Sequence, residues 1–237
     1  MDSEIFARKL VRSRSLAIDL IKRGKVLVNG AMAIKPSMDV GPDDAISIAG
    51  DAAYVGRAGE KLAHALAEWR LDVRGLTIVD IGSSTGGFTD CLLRNGAAKV
   101  YAVDVGTDQL DSSLRSDSRV EVHEGIDIRK FSLPAPVDMA VIDVSFISLN
   151  KVLPKAFELV RLGGRVVALV KPQFEVGKEI ADRRKGVITD PRERAEALEQ
   201  TKAAALAAGF TVRAETDSPI QGEKGNKEFL ILLEKAA

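Results

Sequence analysis

The sequence predicts an α/β protein: a doubly wound, mostly parallel sheet that ends in an antiparallel hairpin, preceded by a small α+β unit. Three observations predict it. From Ala58 onward, short apolar runs alternate with helical segments, the rhythm of a parallel sheet covered on both faces. The last two strand-like runs, Phe210–Glu215 and Glu228–Glu234, are joined by the turn-rich Ser218–Lys227 and read as a hairpin. The first 50 residues follow another rhythm and carry another charge. With 237 residues, 46% of them hydrophobic and 29% charged, the chain can build its core without staples.

Residues 1–50 read as a helix-helix-strand unit, 51–56 as a linker and 57–237 as the large domain. Asp2–Lys9 and Ser13–Arg23 are the helices, with Ser13 a reasonable N-cap and Gly24 a stop. Val26–Val28 and Ala31–Ile34 flank Asn29-Gly30, the signature of a tight hairpin, and Ala45–Ile48 is a further short strand. In the large domain, strands are expected at Thr77–Ile81, Lys99–Asp104, Val120–His123, Val137–Asp143 and Arg165–Lys171. Helices are expected at Gly59–Trp69, Thr85–Arg94, Gln109–Arg115, Leu149–Val160 and Arg192–Ala207. The charged stretch Glu175–Thr189 reads as a loop, either a lid over a substrate or simply mobile.

Net charge is zero, so overall balance says nothing about nucleic acid. Locally, residues 1–35 hold eight basic side chains against three acidic ones. Arg12, Arg14, Lys22, Arg23 and Lys25 are candidates for phosphate contacts, which give affinity without a sequence code. The single cysteine, Cys91, allows no disulfide within the chain and fits a reducing cytoplasm; it reads as a small core residue. Residues 1–20 lack the apolar stretch of a signal peptide, and no run approaches ~18 uncharged apolar residues, so no membrane span is expected.

The loop Asp80-Ile81-Gly82-Ser83-Ser84-Thr85-Gly86-Gly87-Phe88 joins the first large-domain strand to its helix, where such sheets bind ligands. Ser84 stands where a dinucleotide site needs its second glycine, and Phe88 stands where a P-loop needs its lysine. An acidic strand end, a glycine-rich turn and an apolar side chain suit a cofactor without phosphates. Asp104, at the next strand end, is placed to grip a ribose, and Asp127 follows the strand after that, near an adenine. S-adenosylmethionine meets these needs.

Asp143 and Lys171 end apolar runs, and Glu228 opens one. If the first two strands are parallel and the last antiparallel, all three groups reach one rim, on strands ~4.8 Å apart. Lys61 would join them from the helix leading into the first strand. Such a Lys-Asp-Lys-Glu cluster can handle the proton of a hydroxyl. No metal is required, since His64 and His123 show no ligand spacing. Phe146 and Phe174 read as core more readily than as base-stacking surfaces.

With these residues in hand, essentially the whole chain resembles the TlyA (hemolysin A) family of ribosomal RNA 2′-O-methyltransferases. Lys25–Gly30 is similar to the S4 hallmark, which adds Asn29 to the RNA-binding candidates. Arg57–Leu62 and Asp80–Phe88 are similar to the start of the family's catalytic domain and to its cofactor loop. Asp143–Leu149, Lys171–Glu175 and Asn226–Phe229 match further signatures. Gly56 stands where serine would be usual, and no arginine precedes Asp2.

The resemblance implies a Rossmann-like, FtsJ-like methyltransferase domain using S-adenosylmethionine, behind an S4-like RNA-binding domain. It implies Lys61, Asp143, Lys171 and Glu228 as the catalytic set, Lys171 nearest the acceptor oxygen, and ribosomal RNA within ribosomal subunits as the partner, modified at a ribose, of cytidine. No obligate protein partner is evident. Lys171 is either a neutral base favoured by a nearby Lys61 charge or a cation stabilising developing alkoxide, and both versions stay open. Three other readings are a non-catalytic RNA-binding protein with a methyltransferase shell, a membrane-active hemolysin, and a small-molecule methyltransferase. The intact four-residue set argues against the first, the lack of a span or long amphipathic helix against the second, and the basic N-terminal unit against the third.

Overall fold

The computed structural model describes residues 1–11, 14–22, 24–48 and 54–236. The chain divides into two compact units, Met1–Gly56 and Arg57–Ala237.

In the first unit, α1 (Asp2–Ala7) and α2 (Arg14–Lys22) accompany a three-stranded antiparallel sheet of order β2-β1-β3. Its strands are β1 (Val26–Val28), β2 (Ala31–Met32) and β3 (Ile46–Ile48). Ile5, Leu20, Ile21 and Val26 form its core. Asn29 and Gly30 both have positive φ, +51° and +83°, as a tight two-residue hairpin turn requires. Arg8, one of the basic residues of this unit, spends its guanidinium on the carbonyls of Gly41, Pro42 and Asp44. Ser13, the expected cap, and linker residues 51–53 lie outside the described residues.

The second unit opens with α3 (Ala58–Glu68) and builds a seven-stranded sheet of order β6-β5-β4-β7-β8-β10-β9. The parallel strands are β4 (Thr77–Ile81), β5 (Lys99–Val103), β6 (Val120–His123), β7 (Val137–Ile142) and β8 (Val160–Val170). The closing strands, β9 (Phe210–Asp217) and β10 (Phe229–Lys235), pair antiparallel, and β10 also pairs antiparallel with β8. Strand order reverses between β4 and β7, which makes the carboxyl ends of those two strands the switch point where ligands bind. The central strands are apolar on both faces because both are covered. Val79, Ile81, Ala140, Ile142, Val166 and Ile231 anchor the main core.

The helices α4 (Gly87–Arg94), α5 (Ser112–Arg115), α6 (Leu153–Leu159), α7 (Pro172–Glu175), α8 (Lys178–Arg183) and α9 (Pro191–Ala207) complete the unit. Several differ from expectation for local reasons. α4 begins at Gly87 rather than Thr85 because Gly86, at φ +97°, is its left-handed N-cap. α5 starts at Ser112 rather than Gln109, because the N–H groups of Asp108, Gln109 and Leu110 all point at the Glu124 carboxylate. The helix expected at Leu149–Val160 begins as a 3₁₀ turn, Leu149–Lys151, and becomes α-helical where Pro154 fits the first turn. The stretch expected as a loop, Glu175–Thr189, holds the short helix α8, and α7 ends at its first residue.

Candidate active site

The loops after β4 and β7 meet at the switch point. Gly82 has φ +85°, and a Cβ there would lie 2.5 Å from the Asp143 carbonyl oxygen. Its glycine therefore serves a close approach between two loops of the chain itself. Gly86 is needed for a similar reason, since a side chain there would strike Leu110 and Leu114. Phe88 is 2% exposed and supports the loop from within, which corrects the expectation of an apolar side chain offered to a ligand. Ser84, at φ +46°, and Thr85 are exposed.

Asp104 stitches this loop to the next. Its carboxylate accepts from Ser84 N at 2.8 Å and from Gly106 N at 2.7 Å. Glu124 then clamps residues 108–110 through three backbone N–H groups and Arg115. Burial pushes the Glu124 carboxyl up, but those four hydrogen bonds outweigh it and hold it at about 2. The Asp127 carboxylate, expected near an adenine, is engaged within the chain: it caps the 3₁₀ turn Ile128–Lys130 and pairs with Arg129. That bidentate pair holds the Asp127 carboxyl down, at about 2.

Asp80 is fully buried in β4, and Thr89 donates to its Oδ2 at 2.6 Å. Its Oδ1 has no partner, and neither has the buried Ser83 Oγ. Burial raises the Asp80 carboxyl to about 7, and the neighbouring Asp143 and Asp104 charges add to the rise. Three carboxylates around one loop, with no basic residue in residues 80–88, favour a ligand carrying positive charge and no phosphate.

The four rim residues come together as two ion pairs. Asp143 follows β7, and Lys171 follows β8. Phe229 lies opposite Val170, so Glu228 and Lys171 are the next pair along that antiparallel ladder. The Lys171 ammonium lies 2.6 Å from Asp143 Oδ1, too oblique for a hydrogen bond yet close enough for a strong ion pair, and it donates to Ser145 Oγ at 2.9 Å. Lys61, from α3, reaches Glu228 Oε2 at 2.5 Å. This second pair is sealed: Lys61 is 6% and Glu228 3% exposed. The Gly222 backbone packs against Glu228 Oε1, and Arg57 holds the same loop through the Gln221 carbonyl at 2.6 Å.

The FtsJ-like methyltransferase family matches residues 54–235, and the S4 domain family matches residues 2–46. The chain is 41% identical to the 16S/23S rRNA (cytidine-2′-O)-methyltransferase TlyA of Mycobacterium tuberculosis, over 98% of this chain and 88% of that protein. The chain belongs to the TlyA family. It is also 40% identical to hemolysin A of Brachyspira hyodysenteriae, over 97% of each chain. The solved structure of a putative hemolysin from Streptococcus thermophilus superposes with a TM-score of 0.77 at 41% identity, covering 99% of this chain and 87% of that one.

In this TlyA-family chain, sequence reasoning missed three residues that organise the rim. Phe146, expected in the core, is 92% exposed and left-handed at φ +63°, with its ring 5.4 Å from that of Phe174. Glu175 accepts from Ser148 Oγ at 2.5 Å and Leu149 N at 2.9 Å. Asn226, 2% exposed, accepts from Ile188 N and donates to the Gly186 carbonyl, both at 2.8 Å. It thereby ties the end of the supposed lid to the loop before Glu228. Only the Asn226-Lys227-Glu228-Phe229 and Lys171–Glu175 signatures could have flagged Asn226 and Glu175.

The RNA-binding candidates of this TlyA-family member fare unevenly. Arg12 and Arg23 lie outside the described residues. Arg14 pairs with Asp2 at 2.8 Å, though its side chain is 61% exposed. Lys22 is exposed and Lys25 half-buried. Asn29 is occupied structurally: its amide donates to Asp44 Oδ1 and accepts from Ala45 N. Among the described residues there is no cluster of ligating side chains that could hold a metal ion, and no helix is long and apolar enough to cross a membrane.

Proposed function

We propose that the protein methylates a ribose 2′-hydroxyl of ribosomal RNA, at a cytidine, with S-adenosylmethionine as donor, in the cytoplasm. Residues 1–50 would bind RNA, 51–56 would link, and 57–237 would carry the chemistry. The observation that carries the reading is the Lys171–Asp143 pair, set one loop contact away from a buried, phosphate-free acidic cradle. S-adenosylmethionine, when bound, supplies an electrophilic methyl group on a cationic sulfur. Asp80, Ser83, the Ser84–Gly87 backbone and Asp104 would hold it, Asp80 Oδ1 and Ser83 Oγ being the unpartnered polar atoms there.

An ammonium has three donors. Ser145 takes one from Lys171 as a hydrogen bond while Asp143 balances its charge, leaving a donor free for the acceptor oxygen. Lys61 is matched by Glu228, so it is not a lone charge repelling Lys171. That arrangement favours Lys171 as a cation that orients the oxygen and stabilises developing alkoxide. The hydroxyl proton is discharged to solvent water as the oxygen attacks, and Lys171 stays an ammonium throughout. The exposed Phe146 ring offers a face on which an unstacked base can rest. Lys61 and Glu228 would position the rim from below.

The test is transfer of labelled methyl from S-adenosylmethionine to unmodified ribosomal subunits, with Lys171→Ala in parallel. Label on a ribose 2′-oxygen, lost in the variant while cofactor binding persists, is expected. Cofactor binding without transfer to either subunit would favour an RNA-binding protein that retains the fold.

A further inference from the structure

Residues 144–149, between β7 and the turn at Leu149, carry Ser145 and Phe146 toward the acceptor side. The loop is anchored at its start by the strand, where Asp143 N donates to the Ile81 carbonyl. Val144, Ile147 and Leu149 pack it onto the main core, and the side-chain bonds described for its polar and aromatic residues come from one helical turn. Lys171 reaches Ser145, the Phe174 ring meets Phe146, and Glu175 receives Ser148 Oγ and Leu149 N. Positions 171, 174 and 175 are the spacing that shares one face of a helix.

Glu175 is the unusual member. Among the described residues no cation pairs with it, and burial pushes its carboxyl up while Ser148 and Leu149 hold it down. A half-buried carboxylate with no cation beside it is a costly way to fill space unless its hydrogen bonds serve a purpose. Phe146 adds to the cost, since a left-handed aromatic residue persists only where its surroundings over-determine it.

We infer that Glu175 is a positioning residue, a lock that fixes loop 144–149 to the Lys171 turn so that Lys171, Ser145 and Phe146 face one acceptor nucleotide together. The inference rests on the proposed methyl transfer. It assigns Glu175 no contact with cofactor or substrate.

The experiment compares Glu175→Ala, Glu175→Gln, Ser148→Ala and the Ala/Ala double variant in the full chain. Four quantities are read: kcat and KM on ribosomal subunits, cofactor affinity by calorimetry, and amide exchange across residues 144–150. For Glu175→Ala, kcat should fall about 10–100-fold, as misplacement of a reacting group does, with cofactor affinity within about twofold. Exchange should quicken at Leu149 but not within β7. Glu175→Gln should recover most of the rate, because its amide oxygen still accepts from Leu149 N. The double variant should be no slower than Glu175→Ala. A near-normal kcat, or parallel losses in cofactor affinity and rate, would overturn the lock. If Glu175→Ala does not fold, Ser148→Ala and Glu175→Gln decide by the same readouts. Should the wild type transfer no methyl, the functional reading fails separately, and exchange at 144–150 alone supports or overturns the lock.

Discussion

Lys61 with Glu228 and Lys171 with Asp143 use the same two chemical groups at nearly the same separation, 2.5 and 2.6 Å. Their surroundings differ. The first pair lies under the Gln221–Gly222 loop, with Glu228 2% exposed at its side chain. The second opens toward Ser145 and the rim, with 12% and 14% exposure. A sealed pair cannot meet a substrate without breaking cover, whereas a pair with a spare donor can. On the proposed function, environment rather than residue type would divide support from chemistry among four residues that look equivalent in a motif.

The largest effect should come from breaking the sealed pair. Glu228→Ala strands the Lys61 ammonium in the protein interior, and stability should drop by about 3–5 kcal/mol in urea unfolding. Asp143→Asn should cost about 1–2 kcal/mol, because water and Ser145 still serve Lys171. Equal losses would erase the distinction. Phe146 belongs to the open side, so Phe146→Ala should lower kcat/KM on ribosomal subunits about tenfold, the weight of one lost base stack, without moving the melting temperature. A fall in melting temperature with no change in kcat/KM would return Phe146 to a packing role.

Asp80 sharpens the comparison as a buried carboxylate with no lysine at all. The folded chain binds its proton more tightly than the unfolded chain, at about 7 against 3.8. Its stabilising contribution is therefore complete below 3.8 and is lost as pH rises toward about 7. Affinity for a cationic cofactor should move the other way, strengthening as Asp80 ionises. Asp80→Asn should flatten both trends in paired stability and binding titrations from pH 4 to about 8. Identical pH profiles in wild type and variant would rule Asp80 out as the source. The smallest effect is expected in the first unit, where Lys22→Ala should reduce the salt slope of RNA binding by about 1. An unchanged slope would remove Lys22 from the interface.

What the sequence made legible follows from how each feature is encoded. Strands β4 and β6 were bounded to the residue because breaking or charged residues flank them: Gly75 and Gly82 lie around β4, and Arg119 and Glu124 border β6. Such charged borders placed Asp143, Lys171 and Glu228 on one rim once strand directions were assumed. The devices that hold the rim were not legible in that way. Glu124 acts on N–H groups 14–16 residues away, Glu175 on partners 26–27 away, and Asn226 across 38–40. Such bonds leave no period in the chain. Phe146 misled for a related reason: an aromatic residue beside apolar neighbours reads as core, and only its left-handed backbone turns it outward.

The contact between Gly82 and the Asp143 carbonyl has a consequence for how this enzyme class can change. The loop that would choose the methyl donor and the loop that would choose the acceptor press on each other with no room for one methyl group. Neither can be remodelled privately. A lineage, or a laboratory library, that reshapes donor choice through this loop inherits altered acceptor geometry in the same step, so the two specificities are expected to drift together.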